Sequence, residues 1–472
     1  MSKLNGDILY LIFKELRDSK QTLHSYLFVN KTWCEIIVPI FWNNPWENLN
    51  YEKMNSLFYV IISHLSDESR NNLNQKIKFL KDTYQKPLFN YITFCKHLNF
   101  EAIERIINYL HEKSEIPFIR NVIFNLFINE NIKFTYLYIP RQLGYQIHLI
   151  PGAKHCFSEL EFISCYTNTY SDVLNGLTEI CKSVKELKLF INRYINNYGI
   201  IKLIKSIKRL STIQLLSNYT KNDDKSFCEI LENSLIQHAK TIQCFTMNVQ
   251  PVTKFLSLFV NLKKLELGDP NTRLVTMTWN QLENISLPFL QILKAYNVPN
   301  GILASLIENT SGYLTVIKID HVSEHNISNK RFIQAIYQNC PKLKNLKLLI
   351  IDNNILELEK LLISCQCLNK LYINLWHSSN SSNGQKYLDW NDVFEILIKL
   401  SPTSLFNFKF SSLSAPPLSY LKLFFDNWKG RHPMLLKLSH LRYRWKNQSS
   451  YKVLLEKYKA EGIIEKYESC IS

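Results

Sequence analysis

The chain has 472 residues, a formal net charge of +16 and 46% hydrophobic residues, which is enough length and apolar content for two or three folded domains. This composition excludes a disordered chain, and the 11 glycines disfavour Gly-rich nucleotide-binding loops. No run of 18 apolar residues occurs, so we expect no membrane span.

The cysteines and the start of the chain bear on its location. Eleven cysteines are spread along the sequence, and no apolar segment precedes Asp7, which disfavours a secretory signal. We therefore expect reduced thiols and a protein of the cytosol, the nucleus or both. No aromatic–basic RNA-binding signature occurs, so the positive charge is interpreted as a solvated lysine-rich surface.

Residues 4–42 carry apolar side chains at helical spacing in three short runs. Asn5 or Asp7 can cap the first run, and Pro39 is expected to interrupt the third near its end. Three helices from about 40 residues are at the lower size limit for independent folding. They carry more large apolar side chains than so small a bundle can bury, which predicts a binding partner or a close neighbour in the chain.

This segment resembles an F-box, the adaptor-binding module of Skp–cullin–F-box ubiquitin ligases. The resemblance rests on positions in the family's order and spacing: Leu4, Asp7, Ile8, Ile12, Leu16, Val29, Trp33 and Trp42. Asn5 stands where the family usually has proline. The resemblance implies that an adaptor subunit is bound by Leu4, Asp7, Ile8, Leu9, Ile12, Phe13, Leu16, Val29 and Trp33. An ordinary N-terminal helical hairpin stays open as the alternative.

The sequence that follows predicts helices and then a repeat. Residues 47–130 show apolar faces around 57–65, 77–80 and 102–110, without a Ser/Gly-rich linker, and predict a packed helical connector. From residue 134 the pattern apolar-x-x-apolar-x-apolar recurs eleven times. Its first residues are Phe134, Phe157, Val184, Leu210, Ile242, Leu262, Leu290, Leu314, Leu343, Leu368 and Leu405.

Most of these starts lie 20–29 residues apart, the period of leucine-rich repeats. In a strand, alternate side chains share a face, so the last two apolar residues of each repeat are expected to point into a core. Cys181, Cys340 and Cys365 each precede a repeat by three residues, and the segment from Cys340 strongly resembles the cysteine-containing repeats of many F-box proteins. We expect these thiols to be buried at turns rather than to bind metal.

The expected fold class is α/β: a three-helix F-box, a helical connector, and a curved leucine-rich-repeat solenoid with parallel strands on its concave face. The predicted boundaries are 1–46 for the F-box, 47–130 for the connector, 131–429 for the repeats and 430–472 for a C-terminal cap. A solenoid end needs covering, which favours the cap. Arg442, Arg444 and Trp445 belong to a basic–aromatic stretch there, so a nucleic-acid surface stays open as the alternative.

The residue between the two inward positions of each strand should lie on the concave surface. These residues are Tyr138, Glu161, Lys188, Gln214, Thr246, Glu266, Lys294, Lys318, Lys347, Tyr372 and Lys409. Five of the eleven are lysine, which predicts attraction of an acidic or phosphorylated protein segment. The predicted substrate-binding residues are Lys188, Lys294, Lys318, Lys347, Tyr372 and Lys409. The plain alternative is that lysine is only a soluble choice in a lysine-rich chain.

No stretch of the sequence indicates a catalytic centre. The spelling His321-Val-Ser-Glu-His325 matches one zinc-protease motif, but it follows a predicted repeat strand and is interpreted as a surface loop. P-loop, dinucleotide and nucleophile-elbow motifs do not occur. We expect no enzyme activity, no metal and no cofactor.

The resulting hypothesis is a substrate-recognition subunit of a Skp–cullin–F-box ubiquitin ligase. The ligase assignment comes from the resemblance, which implies an adaptor, a cullin reached through it, and a substrate protein marked for ubiquitination and degradation. We expect no membrane partner. Two alternatives stay open: a repeat scaffold without ligase assembly, and a basic nucleic-acid-binding protein.

Overall fold

The computed structural model describes residues 5–76, 86–110, 112–192, 197–217, 225–270, 277–320, 329–351, 355–376, 390–412, 416–440 and 448–469. The chain divides into two compact units, one ending at Ile213 and one beginning at Gln214. In each unit short parallel strands alternate with helices or turns, as the sequence repeat predicts.

The first unit begins with helices and continues with strands. Its helices are α1 (Gly6–Glu15), α2 (Lys20–Tyr26), α3 (Lys31–Trp42), α4 (Tyr51–Ile62), α5 (Asp67–Lys76), α6 (Tyr91–Phe94), α7 (Phe100–Leu110), α8 (Ile116–Phe127), α9 (Ala153–Cys156), α10 (Ser171–Ile180) and α11 (Tyr198–Ser206). Short 3₁₀ turns lie at Leu16–Asp18 and Ile147–Leu149. Its strands are β1 (His97–Asn99), β2 (Tyr136–Tyr138), β3 (Phe162–Tyr166) and β4 (Glu186–Ile191), and the boundary between the units falls within β5 (Thr212–Ser217).

The second unit repeats one strand and one connection more regularly. Its strands are β6 (Cys244–Met247), β7 (Lys264–Leu267), β8 (Ile292–Tyr296), β9 (Val316–Asp320), β10 (Asn345–Ile351), β11 (Lys370–Trp376), β12 (Asn407–Ser412), β13 (Met434–His440) and β14 (Ile464–Ser469). Its helices are α12 (Lys225–Ile236), α13 (Asn300–Glu308), α14 (Asn329–Asn339), α15 (Ile355–Ser364), α16 (Trp390–Leu400), α17 (Leu418–Asp426) and α18 (Gln448–Ala460). The 3₁₀ turns Phe255–Leu258 and Asn280–Leu282 take the place of helices around β7.

Strands pair in parallel with their sequence neighbours, which is the arrangement of a stacked repeat. In the first unit β1 to β4 pair in this order, and in the second unit β6 to β14 do so. Register partners in the second unit are Cys244, Lys264, Ile292, Val316, Asn345, Lys370, Asn407 and Leu435. They are 20, 28, 24, 29, 25, 37 and 28 residues apart, so the leucine-rich-repeat period predicted from sequence is confirmed as a structural period.

Most strands have one face covered by the connections and one open face, whereas both faces of β3 are buried. The apolar residues of the repeat are buried throughout, and Phe408 packs on the rings of Phe424 and Trp428 while Phe245 packs on Phe255. Because side chains alternate along a strand, the intervening residues lie on the other side. We call that side the open face of each unit.

Details of the repeat differ from the sequence-based prediction. Leu137 pairs with Ile163, so the second repeat is Leu160-Ile163-Cys165 and not the predicted Phe157-Leu160-Phe162. Both readings satisfy the apolar pattern because all five residues of β3 are buried. Strands also occur outside the range 131–429, since β1 precedes it and β13 and β14 follow it.

Two local predictions near the chain ends are corrected as well. Helix α3 continues through Pro39 to Trp42, whereas the prediction had Pro39 interrupting it. In the C-terminal cap, the apolar residues Val453, Leu454, Tyr458, Ile463 and Ile464 predict a helix from sequence, but Ile464 begins strand β14. In both cases packing decides the conformation, because Ile37 and Val38 on α3 and Ile464 on β14 are buried.

Candidate protein-interaction surfaces

Two of the three N-terminal helices, α1 and α3, begin at side-chain caps. The Asn5 side chain accepts a hydrogen bond from the Asp7 backbone N–H at 3.3 Å, and Asn30 Oδ1 accepts one from the Trp33 N–H at 2.9 Å. Such caps satisfy the unpaired N–H groups of a first turn. Asn5, which stands where the F-box family usually has proline, therefore caps the N-terminus of α1.

A small apolar core holds these helices together. Leu9, Phe13, Leu23 and Ile37 are buried in it, and the Phe13 ring meets the edge of the Trp33 ring at 5.0 Å. The module is also fixed to the chain that follows, where the Trp46 indole N–H donates to the His97 carbonyl at 2.6 Å. Its own core is thus complete without a partner.

The outer side of the same helices is apolar and exposed. The exposed fractions are 47% for Ile8, 61% for Leu11 and 43% for Ile12 on α1, and 78% for Phe28 and 54% for Val29 between α2 and α3. Ile8, Leu11 and Ile12 share one side of α1 because residues three and four apart are neighbours on a helix. We call these five residues the N-terminal apolar patch.

The predicted adaptor-binding residues divide into three groups. Ile8, Ile12 and Val29 belong to the N-terminal apolar patch, and Asp7 is exposed beside it. The remaining described residues support the module from inside: Leu9 and Phe13 are buried, and Leu16 and Trp33 are half-buried. Leu4 lies outside the described residues. Sequence reasoning missed Leu11 and Phe28, whose large apolar side chains in a small exposed module could have indicated them.

The open face of the second unit carries a central row of register partners, one from each strand. This central row is Thr246, Glu266, Lys294, Lys318, Lys347, Tyr372, Lys409, Lys437 and Glu468. Five of the six predicted substrate-binding residues are thereby brought into one row. The neighbouring row adds Lys264, Lys370 and Lys466, so eight lysines face three carboxylates when Asp320 is included.

Four of the eight lysines are paired with carboxylates of the same face, and one of them, Lys264, lies 3.4 Å from a Glu266 carboxylate oxygen. The Lys294 ammonium lies 3.3 Å from a Glu266 carboxylate oxygen, and Lys347 forms an ion pair with Asp320. At the far end of the row Lys437 and Glu468 pair at 2.5 Å. Carboxylates therefore interrupt the row of lysines. The residues predicted on the concave surface included Glu266 but not Asp320 or Glu468.

Lys318 stands apart from this pattern of pairs. It forms no ion pair with any part of the chain that the structure describes, although it lies between Lys294 and Lys347 in the central row. Burial makes the largest contribution to lowering the pKa of Lys318, and the positive charges of Lys294, Lys370 and Lys347 lower this pKa further. The negative charge of Asp320 raises the pKa of Lys318. Three lysines and one carboxylate therefore act on the charge of Lys318.

Lys188, the sixth predicted substrate-binding residue, lies on the open face of the first unit. Its ammonium stands 4.9 Å from the centre of the Phe190 ring, and burial lowers its pKa. The register that pairs Ser164 with Lys188 also removes Glu161 from the concave positions, because Glu161 precedes β3 and pairs with Lys185 at 2.5 Å.

The repeat cysteines are structural. Cys181, Cys340 and Cys365 are fully buried, as predicted, and burial raises the pKa of Cys181 and Cys365 to about 12 and that of Cys340 higher still. They are therefore protonated, unreactive thiols at physiological pH. The described residues contain no group of three His, Cys, Asp or Glu that could hold a metal ion. The segment from His321 to His325 lies outside the described residues.

Comparisons with known proteins concern the fold. No protein-family model and no curated protein matches this chain. A solved protein from Bacteroides fragilis is similar over 62% of this chain and 67% of its own, at 11% identity and a TM-score of 0.32. The leucine-rich repeat-containing protein LegL7 from Legionella pneumophila is similar over 63% of this chain and 86% of its own, at 15% identity and a TM-score of 0.33.

The class of protein follows from the chain's own strand order and period. It is a leucine-rich-repeat-like α/β protein, with one parallel strand in each repeat and an open face of polar side chains, an architecture that suits a protein-interaction scaffold. Among the described residues no helix combines the length and apolarity needed to cross a membrane.

Proposed function

We propose that this protein is the substrate-recognition subunit of a Skp–cullin–F-box ubiquitin ligase. In this proposal the N-terminal apolar patch binds the adaptor, which connects it to a cullin, and the open face of the repeats binds a substrate protein. The protein performs no bond chemistry itself. It raises the concentration of the substrate near the ubiquitin-conjugating enzyme. The setting would be the cytoplasm, the nucleus or both.

The observation that carries the proposal is the exposure of the N-terminal apolar patch on a module whose core is already filled. Leu11 and Phe28 are more than half exposed, while Leu9, Phe13 and Leu23 are buried. Large exposed apolar side chains that are neighbours on one side of a helix, as Ile8, Leu11 and Ile12 are on α1, mark interaction surfaces. The side chains fall on the first helices of the segment that resembles an F-box, which is where that family binds its adaptor.

The test is co-expression with the adaptor subunit followed by size-exclusion chromatography. Ile8→Ser with Leu11→Ser should abolish the stoichiometric complex, because it removes two apolar anchors from the contact surface. The matched control is Glu52→Ser with Lys53→Ser, two exposed positions on α4 outside the N-terminal apolar patch, which should leave the complex intact. A wild-type chain that elutes apart from the adaptor at micromolar concentration would favour a repeat scaffold without ligase assembly.

A further inference from the structure

The turns that precede strands β7 to β10 form one edge of the sheet in the second unit. The first residues of these strands are register partners: Lys264, Ile292, Val316 and Asn345. Backbone hydrogen bonds continue this register into the turns. Residues at equal distances before the strands therefore occupy equivalent places. We call two rows of them the turn-edge strip: Asn261, Phe289, Tyr313 and Lys342, three residues before the strands, and Val260, Pro288, Gly312 and Pro341, four residues before them.

Two aromatic side chains of the turn-edge strip are left uncovered by the fold. Phe289 is 47% exposed and Tyr313 is 40% exposed, although the residues that follow them in the sequence are fully buried. Their ring centres lie 5.9 Å apart, and the ring planes are tilted by 42°. The same position is polar before other strands, as at Ser183 before β4 and Ser404 before β12. The repeat therefore does not require these rings, and neighbouring exposed apolar side chains mark interaction surfaces.

The shape of the strip suits an extended chain that crosses the strands. Gly312 has no side chain and lies between Pro288 and Pro341 in its row, so it leaves a low point between them. The turns of Pro288 and Pro341 are two strands apart, which is a separation of about 9.6 Å. A polyproline II helix advances about 3.1 Å per residue, so residues three positions apart are separated by about 9.3 Å. The two spacings agree.

The charge at this edge is positive. The six residues before each of the four strands include Lys263 at the β7 end and Lys342 with Lys344 at the β10 end, and they include no aspartate or glutamate. All three lysines are exposed, and the Lys342 ammonium stands 4.9 Å from the centre of the Tyr313 ring. A partner segment with acidic residues on both sides of its apolar part would complement this charge.

We propose that the turn-edge strip binds an extended segment of a partner protein in which Pro-x-x-Pro stands between acidic residues. One proline fills the groove between the tilted rings of Phe289 and Tyr313, and the acidic residues pair with Lys263 and Lys342. Aromatic-lined grooves recognise the polyproline II conformation because it is formed before binding and loses little conformational entropy. The inference goes beyond the proposed function, since the strip shares no residue with the N-terminal apolar patch or the central row.

A single-stranded nucleic acid is the competing ligand, because bases also stack on aromatic rings. Such a ligand needs uncovered ring faces and positive charge along its whole backbone. Here the Lys342 ammonium occupies one face of the Tyr313 ring. Two neutral residues, Gln291 and Thr315, separate the lysines at the two ends of the strip. This arrangement favours a short segment with acidic ends.

The test measures binding of fluorescent peptide pools to the full chain by anisotropy. The first pool has Pro-x-x-Pro between two aspartates, the second has alanine in place of both prolines, and the third has asparagine in place of both aspartates. We expect the first pool to bind on the order of tenfold tighter than either of the others, which corresponds to about 1.4 kcal/mol. Phe289→Ser with Tyr313→Ser should abolish the preference for proline.

The matched control is Leu356→Ser with Ile363→Ser, which removes two exposed apolar side chains from α15 of the same unit. It should bind the first pool within about twofold of wild type, a difference below about 0.5 kcal/mol. Lys263→Glu with Lys342→Glu should remove the preference for aspartate and keep the preference for proline. Thermal unfolding identifies a variant that fails to fold, and the charge variant then decides, because it changes no apolar side chain.

Four outcomes would overturn the proposal. Equal binding of the first pool and either of the other two would contradict the proposed ligand. A preference for proline that survives Phe289→Ser with Tyr313→Ser would place the site elsewhere. Tighter binding of a degenerate single-stranded RNA, lost in the same variant, would indicate a nucleic-acid surface. A concentration-dependent dimer in sedimentation velocity, also lost in that variant, would indicate that a second copy of the chain covers the strip.

Discussion

The open faces of the two units are both formed by parallel strands, but they carry different kinds of side chain. In both, parallel strands present every second side chain outward. In the first unit many outward residues are aromatic and pack on one another, whereas in the second unit five of the nine residues of the central row are half-exposed lysines. Because the repeat itself fixes only the buried positions, the outward positions are free to serve stability in one unit and binding in the other.

The aromatic side chains on the open face of the first unit pack on one another. The His97 ring stacks on Tyr136 with ring centres 3.9 Å apart, the Tyr138 and Phe162 rings are 5.2 Å apart, and only 8% of Phe162 is exposed. Such contacts bury large apolar areas and add the favourable geometry of ring pairs. This face resembles a second core, and its side chains have little surface left for a partner.

On the open face of the second unit, which we call the lysine face, the lysine side chains are not packed in this way. Its ammonium groups stay near solvent, where ion pairs contribute little to stability, and the Lys318 region carries like charges that oppose one another. A surface that is neutral or costly for folding and concentrated in charge is suited to recognition. The difference between the units is therefore expected to appear as different responses to the same kinds of substitution.

The largest effect is expected from Phe162→Ala on the aromatic face. The substitution removes a buried ring that contacts Tyr136 and Tyr138, so it should lower the free energy of unfolding by about 3 kcal/mol or more. Urea denaturation followed by circular dichroism measures the change.

The matched substitution is Tyr372→Ala on the lysine face. Tyr372 is half-exposed and has no ring contact with the described residues, so we expect a loss below about 1 kcal/mol. Equal losses for the two variants would contradict the view that the first unit uses its outward positions for packing and the second does not.

A smaller effect is expected from the pH dependence of His97. Burial lowers the pKa of His97 to about 4, against about 6.5 in an unfolded chain. Between these values the unfolded state binds more protons, so the contribution of neutral His97 to stability is present above pH 6.5 and is lost as the pH falls toward 4. His97→Gln should therefore cost more stability at pH 7.5 than at pH 4.5.

The control for this pH dependence is His155→Gln, since His155 is an exposed histidine of the same unit. Its cost should be small at both pH values. A cost for His97→Gln that is the same at pH 7.5 and pH 4.5 would show that the ring packs without resisting protonation.

The repeat made most of the fold predictable from sequence. Buried positions such as Leu265, Leu346 and Leu371 must be apolar at a fixed period, because no single repeat can bury its apolar side alone. The prediction failed where the pattern was degenerate, as in β3, whose residues are apolar in both registers. It also missed β1, because three residues around Leu98 are too few to show a period.

The candidate site was only partly predictable for a different reason. The row containing Lys294, Lys318 and Lys347 follows from strand alternation, so sequence could place it. Which lysine lacks a carboxylate depends on contacts between strands, such as Lys347 with Asp320 one strand away. Such pairs join residues 27 positions apart in the chain, and the period does not specify them.

The smallest effect distinguishes Lys318 from its neighbours within the lysine face. Lys318→Gln removes a charge that burial and three lysines disfavour, so the free energy of unfolding should stay unchanged or rise by up to about 0.5 kcal/mol. Lys347→Gln removes the partner of the half-buried Asp320 carboxylate, so it should lower the free energy of unfolding by roughly 1 kcal/mol. Thermal and urea unfolding in 0.02 M and 0.5 M salt measure both variants. Any gain from Lys318→Gln should shrink in high salt, because screening weakens the repulsion that it relieves. A clear loss of stability for Lys318→Gln in both salts would mean that Lys318 supports the fold and would remove the reason to regard it as a binding residue.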